Sequence, residues 1–307
     1  MQFGPAGRRL VSHLAFPVVL GGAVAAALGL IQRGLDPRLA ILSAQVPAFL
    51  CVIVLERLAP HHADWNRNHG DLGPDLGHMV MVSTVSGLAD PLLRLLGISL
   101  ATALAGGVSP TLWPGEWPLL AQLALALVLG ELGQYWVHRL EHEHDCLWRF
   151  HALHHSAPRL YWLNAARFHP VDILLNNFVV SVPLAFLGAG IDVLSLWLLV
   201  SAIHGIFQHA NMPIRIGPLN WIFSMAELHR WHHSKTLVES NANYGQNLIV
   251  WDVVFGTRFL PADREPPERI GIADLPAFPT GWLDQELSPL RWAQIRTASA
   301  RPEHVES

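Results

Sequence analysis

Cysteine is nearly missing from this chain of 307 residues: Cys51 and Cys146 are its only two. Two unclustered thiols build neither a disulfide framework nor an iron–sulfur site, and both read as ordinary thiols. Lysine is scarcer still, with Lys235 alone beside nineteen arginines; that skew reflects base composition rather than function. Charged residues make up only 14% of the chain, against ~25% in soluble domains. The net charge is −4, with no long run of one sign, which leaves a nucleic-acid partner unsupported. No Gly-x-Gly-x-x-Gly follows a strand pattern, and no haem-binding module or internal repeat is recognisable.

What is plentiful is apolar sequence, 51% of residues. A soluble domain of this size folds with less, so the excess calls for lipid as a second solvent. Residues 14–31 and 39–55 are uncharged and close to the ~20 residues that span a bilayer core. Because a second span follows at once, the first reads as an uncleaved span rather than a signal peptide. Residues 78–105 are apolar but interrupted by Asp90, Pro91 and Arg94, which predicts a broken or hairpin-like span. Residues 117–137 form a further helix with Glu131 inside it, and 173–208 predict a helical hairpin about Gly188-Ala189-Gly190. The expected fold is therefore all-α and polytopic, with an N-terminal transmembrane region (1–116), a central domain (117–260) and a peripheral C-terminal tail (261–307).

Arginine placement orients it. Segments 138–171 and 209–270 hold ten Lys or Arg, while the turns at 106–116 and 188–191 hold none. The positive-inside rule then puts both basic segments in the cytoplasm. Arg8 and Arg9 agree, and Arg33 and Arg38 pull the other way.

Histidine is the anomaly: there are 18, and they are bunched. His138 and His142 stand four apart at the end of a predicted helix. His151, His154 and His155 repeat the spacing i, i+3, i+4, as do His229, His232 and His233; His204 and His209 lie between. Such spacings place imidazoles on one helical face, and imidazole binds zinc, iron, copper and nickel. Ten candidates are too many for one zinc site and suit two metals. Glu131, a carboxylate inside a span, is expected to be functional or satisfied by a neighbouring helix. A metal-free reading of each cluster by itself is ordinary; all of them in one chain make a metal site the expectation.

The stretches YWVHRLEH, WRFHALHHS, RFHP, FQHAN, HRWHHS and NYGQNLIVWDVVFGT run in order over residues 124–260. In these motifs the chain resembles the fatty acid hydroxylase/sterol desaturase superfamily. The resemblance implies a helical membrane domain with a cytoplasmic histidine-lined cap. It implies two iron ions, with zinc as a possible substitute, and dioxygen as co-substrate for oxidising a lipid C–H bond by hydroxylation or desaturation. It places ligands at His138, His142, His151, His154, His155, His229, His232 and His233, with His209 and then His204 as middle ligands. His169 is expected to be structural or to support a ligand. Asp252 is expected either to orient an imidazole or to hold a turn. Arg230 is expected to pair with Glu227 three residues earlier, and His61, His62, His69, His78 and His144 to be surface or interface residues.

The resemblance leaves the substrate open among sterol, fatty acyl and related lipids. Electrons would come from a separate ferredoxin or cytochrome-type donor with its reductase, and the bacterial inner membrane is the expected location. The competing readings are a histidine-rich metal transporter, which needs ligands at mid-bilayer, and an inactive member of the family.

Overall fold

The computed structural model describes residues 2–105 and 112–301; part of the arginine-free turn at 106–116 and the end of the tail lie outside them. Among the described residues the chain is helical, with only isolated bridges, Phe223 with Leu248 and Ser234 with Ile270. Six helices are long and apolar enough to cross a membrane: α1 (Pro5–Gln32), α2 (Pro37–Leu58), α3 (Leu72–Leu104), α4 (Leu119–Glu143), α6 (Pro170–Leu187) and α7 (Ile191–His209). Between and after them come the short helices α5 (Asp145–His155), α8 (Ala226–His232), α9 (Leu237–Ser240), α10 (Val250–Phe255), α11 (Trp282–Glu286) and α12 (Trp292–Ser299).

Local chemistry sets the ends of the long helices. Asp36 caps α2 by accepting from the amides of Arg38 and Leu39, with Pro37 in the first helical position, where a missing N–H costs nothing. Gly188, at φ +95°, ends α6 in the left-handed conformation that glycine adopts without strain, and so makes the predicted turn into α7.

Apolar side chains on both sides of these helices reflect two solvents. Leu39, Leu42, Val46, Leu50 and Val54 of α2 point outward and are exposed, while Ala40, Ala44, Ala48 and Val52 are buried. Small residues at this four-residue spacing let helices approach closely where lipid supplies no hydrophobic drive. Gly97 of α3 does the same against α6: a Cβ there would lie 2.5 Å from the Val182 carbonyl oxygen.

The interrupted segment is not a hairpin. α3 runs unbroken for 33 residues through Pro91. Its charged residues find each other in place: Asp90 pairs with Arg94 one turn on and accepts from the Ser181 hydroxyl of α6. Paired within the bundle, these charges need not break the span.

One end of every long helix meets a cap built from loops and short helices. Ser12 of α1 accepts from the Arg215 amide, and Glu56 of α2 from the amides of Trp162 and Asn211. Asp75 of α3 accepts from Arg167 and from the Tyr161 hydroxyl. Just before α3, Asp71 takes a two-pronged ion pair from Arg159 at 2.6 and 2.9 Å, both side chains buried. Burial alone would raise the Asp71 carboxyl, but the Arg159 guanidinium wins and holds it below its usual value. The C-terminal segment also lies on the cap. The Gly271 amide donates to the His233 carbonyl, and Trp292 and Ile295 pack on Ala152 of α5.

Candidate metal centre

α4 delivers His138 and His142 from its last turns, α5 delivers His151, His154 and His155, α7 ends on His209, and α8 with the residue after it carries His229, His232 and His233. Their ring nitrogens converge in two sets. His138, His142, His151, His155 and His232 form one; His154, His209, His229 and His233 form the other, each set lying within 4.8 Å. All are buried except His142, which is half-buried.

The sorting follows helix geometry. Residues four apart project almost together, while the residue between them at i+3 is rotated to the other side of the same face. So His151 and His155 join one set and His154 the other; on α8, His229 and His233 stay together and His232 crosses over. The two sets touch along this seam, with the His155 and His233 rings stacked at 4.5 Å between centroids.

Outward hydrogen bonds fix the rings. Nδ1 of His138 donates to the Tyr244 carbonyl at 2.6 Å, that of His151 to Asp172 at 2.8 Å, that of His154 to the Arg167 carbonyl at 3.2 Å and that of His232 to the Ala242 carbonyl at 2.8 Å. His142 and His209 are held at Nδ1 by the amide oxygens of Asn241 and Asn164, at 3.1 and 2.9 Å. A proton on Nδ1 leaves a bare lone pair on Nε2, the tautomer of a metal ligand. The Nε2 atoms nevertheless crowd together: His138 to His151 at 3.1 Å, His142 to His155 at 3.1 Å, and His209 to His229 at 2.9 Å. The Nε2 atom of His232 is buried without a partner.

Where both Nδ1 atoms donate outward, as in His138 and His151, the facing Nε2 lone pairs repel, and a cation between them relieves the repulsion. The donor set fits a metal ion in each group. Burial first, then the neighbouring imidazoles, hold His151, His154, His155, His229, His232 and His233 well below the usual histidine range. They are neutral at neutral pH and ready to ligate.

Nine of the ten expected histidines meet here; His204 does not. It sits one turn before the end of α7, with neither nitrogen bonded, and packs edge-on against Phe16 of α1 at 5.4 Å. The five residues from His204 to His209 overshoot a whole turn by about 140°, so the two rings leave the helix in different directions.

Glu131 touches neither a metal set nor an imidazole. It accepts from the amides of Gln246 and Asn247 and so pins the 241–249 loop to α4. Asp252 acts at one remove. It accepts from the amides of Tyr244 and Gly245 at 2.8 Å and from the Thr257 hydroxyl, fixing the carbonyl that orients His138; burial pushes its carboxyl up to about 6.

His169 caps α6 by accepting from the Val171 amide. His78 is fully buried between Gln285 and Glu286 of α11, not a surface residue. Arg230 does not pair directly with Glu227; it donates to the carbonyls of Ala210 and Met212 beyond α7.

Sequence reasoning missed Asp172, Asn164, Asn241 and Glu141. Asp172 had a signal, an acid in the first turn of an apolar helix. Glu141 lies 3.5 Å from Nδ1 of His151, with both carboxylate oxygens buried and without hydrogen-bond partners; its signal was its place between two ligands.

A cavity of about 130 Å³ adjoins both sets. His138 and His151 line it from one set and His154, His209 and His229 from the other; Ser201, Gly205 and Gln208 of α7 form a wall.

Fold and site together define a multi-pass helical membrane protein with paired histidine sets at one end of its bundle. The fatty acid hydroxylase profile matches residues 123–257, which hold every histidine of the two sets. The ornithine lipid hydroxylase OlsE of Rhizobium tropici is 41% identical over 245 residues, covering 78% of this chain and 72% of that protein. The chain belongs to the fatty acid hydroxylase superfamily.

Human alkylglycerol monooxygenase is 32% identical over 145 residues, covering 47% of this chain and 31% of its own length. A very-long-chain aldehyde decarbonylase of Oryza sativa subsp. indica is 27% identical over 154 residues, covering 49% and 57%. Apart from the Rhizobium protein, the chain thus spans between about a third and somewhat over half of these relatives. No solved structure matches the chain.

Proposed function

We propose that this protein hydroxylates a C–H bond of a lipid with dioxygen, using two iron ions held by the nine histidines. Its relatives include an ornithine lipid hydroxylase and an alkylglycerol monooxygenase, which supports lipid hydroxylation over desaturation. An ornithine lipid is the first substrate to test, after the name of the Rhizobium relative. The observation that carries the reading is the chamber where both ligand sets meet a wall of α7, a membrane-embedded helix. A wall on so apolar a helix suits a substrate whose chain stays in the bilayer.

Bound iron, once reduced, supplies the activation of dioxygen. The chain's own groups do the rest. Tyr244, Asp172, Arg167, Asn164 and Ala242 hold the imidazoles with their lone pairs inward, and the buried cap keeps water from the reacting carbon. Electrons come from a separate ferredoxin or cytochrome-type donor with its reductase. The excess of arginine in the loops of the cap supports a cytoplasmic position for it, and the inner membrane of a bacterium is the proposed location. The ligands lie at helix ends rather than mid-bilayer, which disfavours a metal transporter.

The test is to purify the full chain, count its metals by mass spectrometry, and supply an ornithine lipid with isotopically labelled dioxygen and a reducing system. One labelled oxygen in the product supports the reading. Labelled water with no labelled lipid, from a fully iron-loaded protein, sinks it for this lipid.

A further inference from the structure

The wall formed by α7 carries features that metal binding does not use. Ser201 lines the chamber, and its hydroxyl is buried without a hydrogen-bond partner. Serine and threonine in a membrane helix ordinarily turn back to the carbonyl four residues earlier, as Ser43, Thr84 and Thr102 do here at 2.7, 2.8 and 2.9 Å. Ser201 does not, and an unmet hydroxyl in a dry setting is costly.

One turn on, Gly205 also lines the chamber, and a Cβ built on it meets nothing within 4 Å. Gly97 and Gly133 are different: a Cβ on either would strike a carbonyl of α6. Helix packing therefore requires glycine at those positions but not at 205. What the missing side chain leaves open is the chamber. Gln208, the next residue along, is committed elsewhere, its amide donating to the Ser224 hydroxyl and the Gly245 carbonyl. Ser201 is thus the uncommitted hydrogen-bond donor of this wall.

We propose that Ser201 is a specificity-determining residue that donates a hydrogen bond to a carbonyl of the substrate lipid, and that Gly205 keeps open the space through which the reacting carbon reaches the metals. This rests on the reading of the protein as a lipid oxygenase and deepens it. Ser201 lies eight residues before His209, about 12 Å along the helix axis, on the bilayer side of the metals. The acceptors that a lipid presents there are the ester or amide carbonyls that join its headgroup to its chains. At 130 Å³, against roughly 300 Å³ or more for a pocket enclosing a whole small ligand, the chamber takes only the segment around the reacting carbon. The rest of the lipid stays in the bilayer.

The test compares two neutral probes that differ in one carbonyl, 1-hexadecanoylglycerol and 1-O-hexadecylglycerol. Each is titrated onto the metal-loaded full chain in detergent, and retention is read by native mass spectrometry. The wild type should prefer the acyl probe by about tenfold, roughly the worth of one neutral hydrogen bond. Ser201→Ala should erase the preference, Ser201→Thr should restore it, and Gly205→Leu should weaken both probes more than tenfold, with metal content unchanged in all three. An acyl preference that survives in Ser201→Ala, or no preference in the wild type, overturns the assignment to Ser201. Undiminished binding to Gly205→Leu overturns that to Gly205. If Ser201 governs binding but labelled dioxygen never enters a lipid, the chamber stands and the proposed hydroxylation falls.

Discussion

The Nε2 atoms of His138 and His151 face each other at 3.1 Å, while the Nδ1 atoms of both rings donate outward, to the Tyr244 carbonyl and to Asp172. Two lone pairs at that distance repel, so this geometry is stable with a cation between them. The consequence is that metal and fold are linked. Adding a chelator is expected to lower the unfolding temperature of the purified protein, and restoring iron or zinc to recover it; an unchanged temperature in chelator contradicts the linkage.

The division into two sets predicts which substitutions cost metal. His232→Ala removes one member of the five-histidine set and His229→Ala one of the four-histidine set. Each is expected to lower the bound metal from about two per chain toward one and to abolish the proposed hydroxylation. His204→Phe is expected to keep full metal content, because that ring packs against Phe16 rather than with either set. Loss of metal in His204→Phe would return that residue to the ligands.

Asp172 orients His151, and neither nitrogen of that ring is idle. Asp172→Ala is expected to weaken metal binding by roughly 10–100-fold, as loss of a supporting hydrogen bond typically does. Competition with a chelator of known affinity measures it. Asp252→Asn should have a smaller effect in the same direction, because Asp252 reaches His138 only through the Tyr244 backbone.

Acid should open the metal-free cap. His151, His154, His155, His229, His232 and His233 take up protons well below the usual histidine range in the fold, because burial and one another's charge oppose it. In the unfolded chain they do so near 6.5. Between those values the unfolded chain binds more protons, so stability is complete above about pH 6.5 and is lost as pH falls below it. Thermal unfolding of chelator-treated protein between pH 8 and pH 5 measures this, and a temperature that rises on acidification contradicts it.

Arg159 and Asp71 tie the cap to the start of α3 with both side chains buried. Asp71→Ala leaves a buried guanidinium unpaired, at a cost of about 3–5 kcal/mol. The expected outcome is lower stability and weakened metal retention, although no ligand is touched. Proteolysis across residues 59–71 reports the loosening directly.

The sequence by itself determined what repeats locally. Apolar length made the spanning helices, because a backbone in lipid must bond to itself. Histidines four residues apart share a helical direction whatever surrounds them, so the pairs His138/His142, His151/His155 and His229/His233 were legible as units. Only the tertiary structure decided how those pairs combine. It sent His154 and His232 across to opposite sets, left His204 out, and brought Asp172 and Asn164 from distant segments to hold His151 and His209. It also paired Asp90 with Arg94 inside one unbroken helix and directed Glu131 to a loop more than a hundred residues away. The physical reason is the same in each case. Helical periodicity depends on near neighbours in sequence, whereas a buried polar group takes whichever partner the packing of other helices brings within reach.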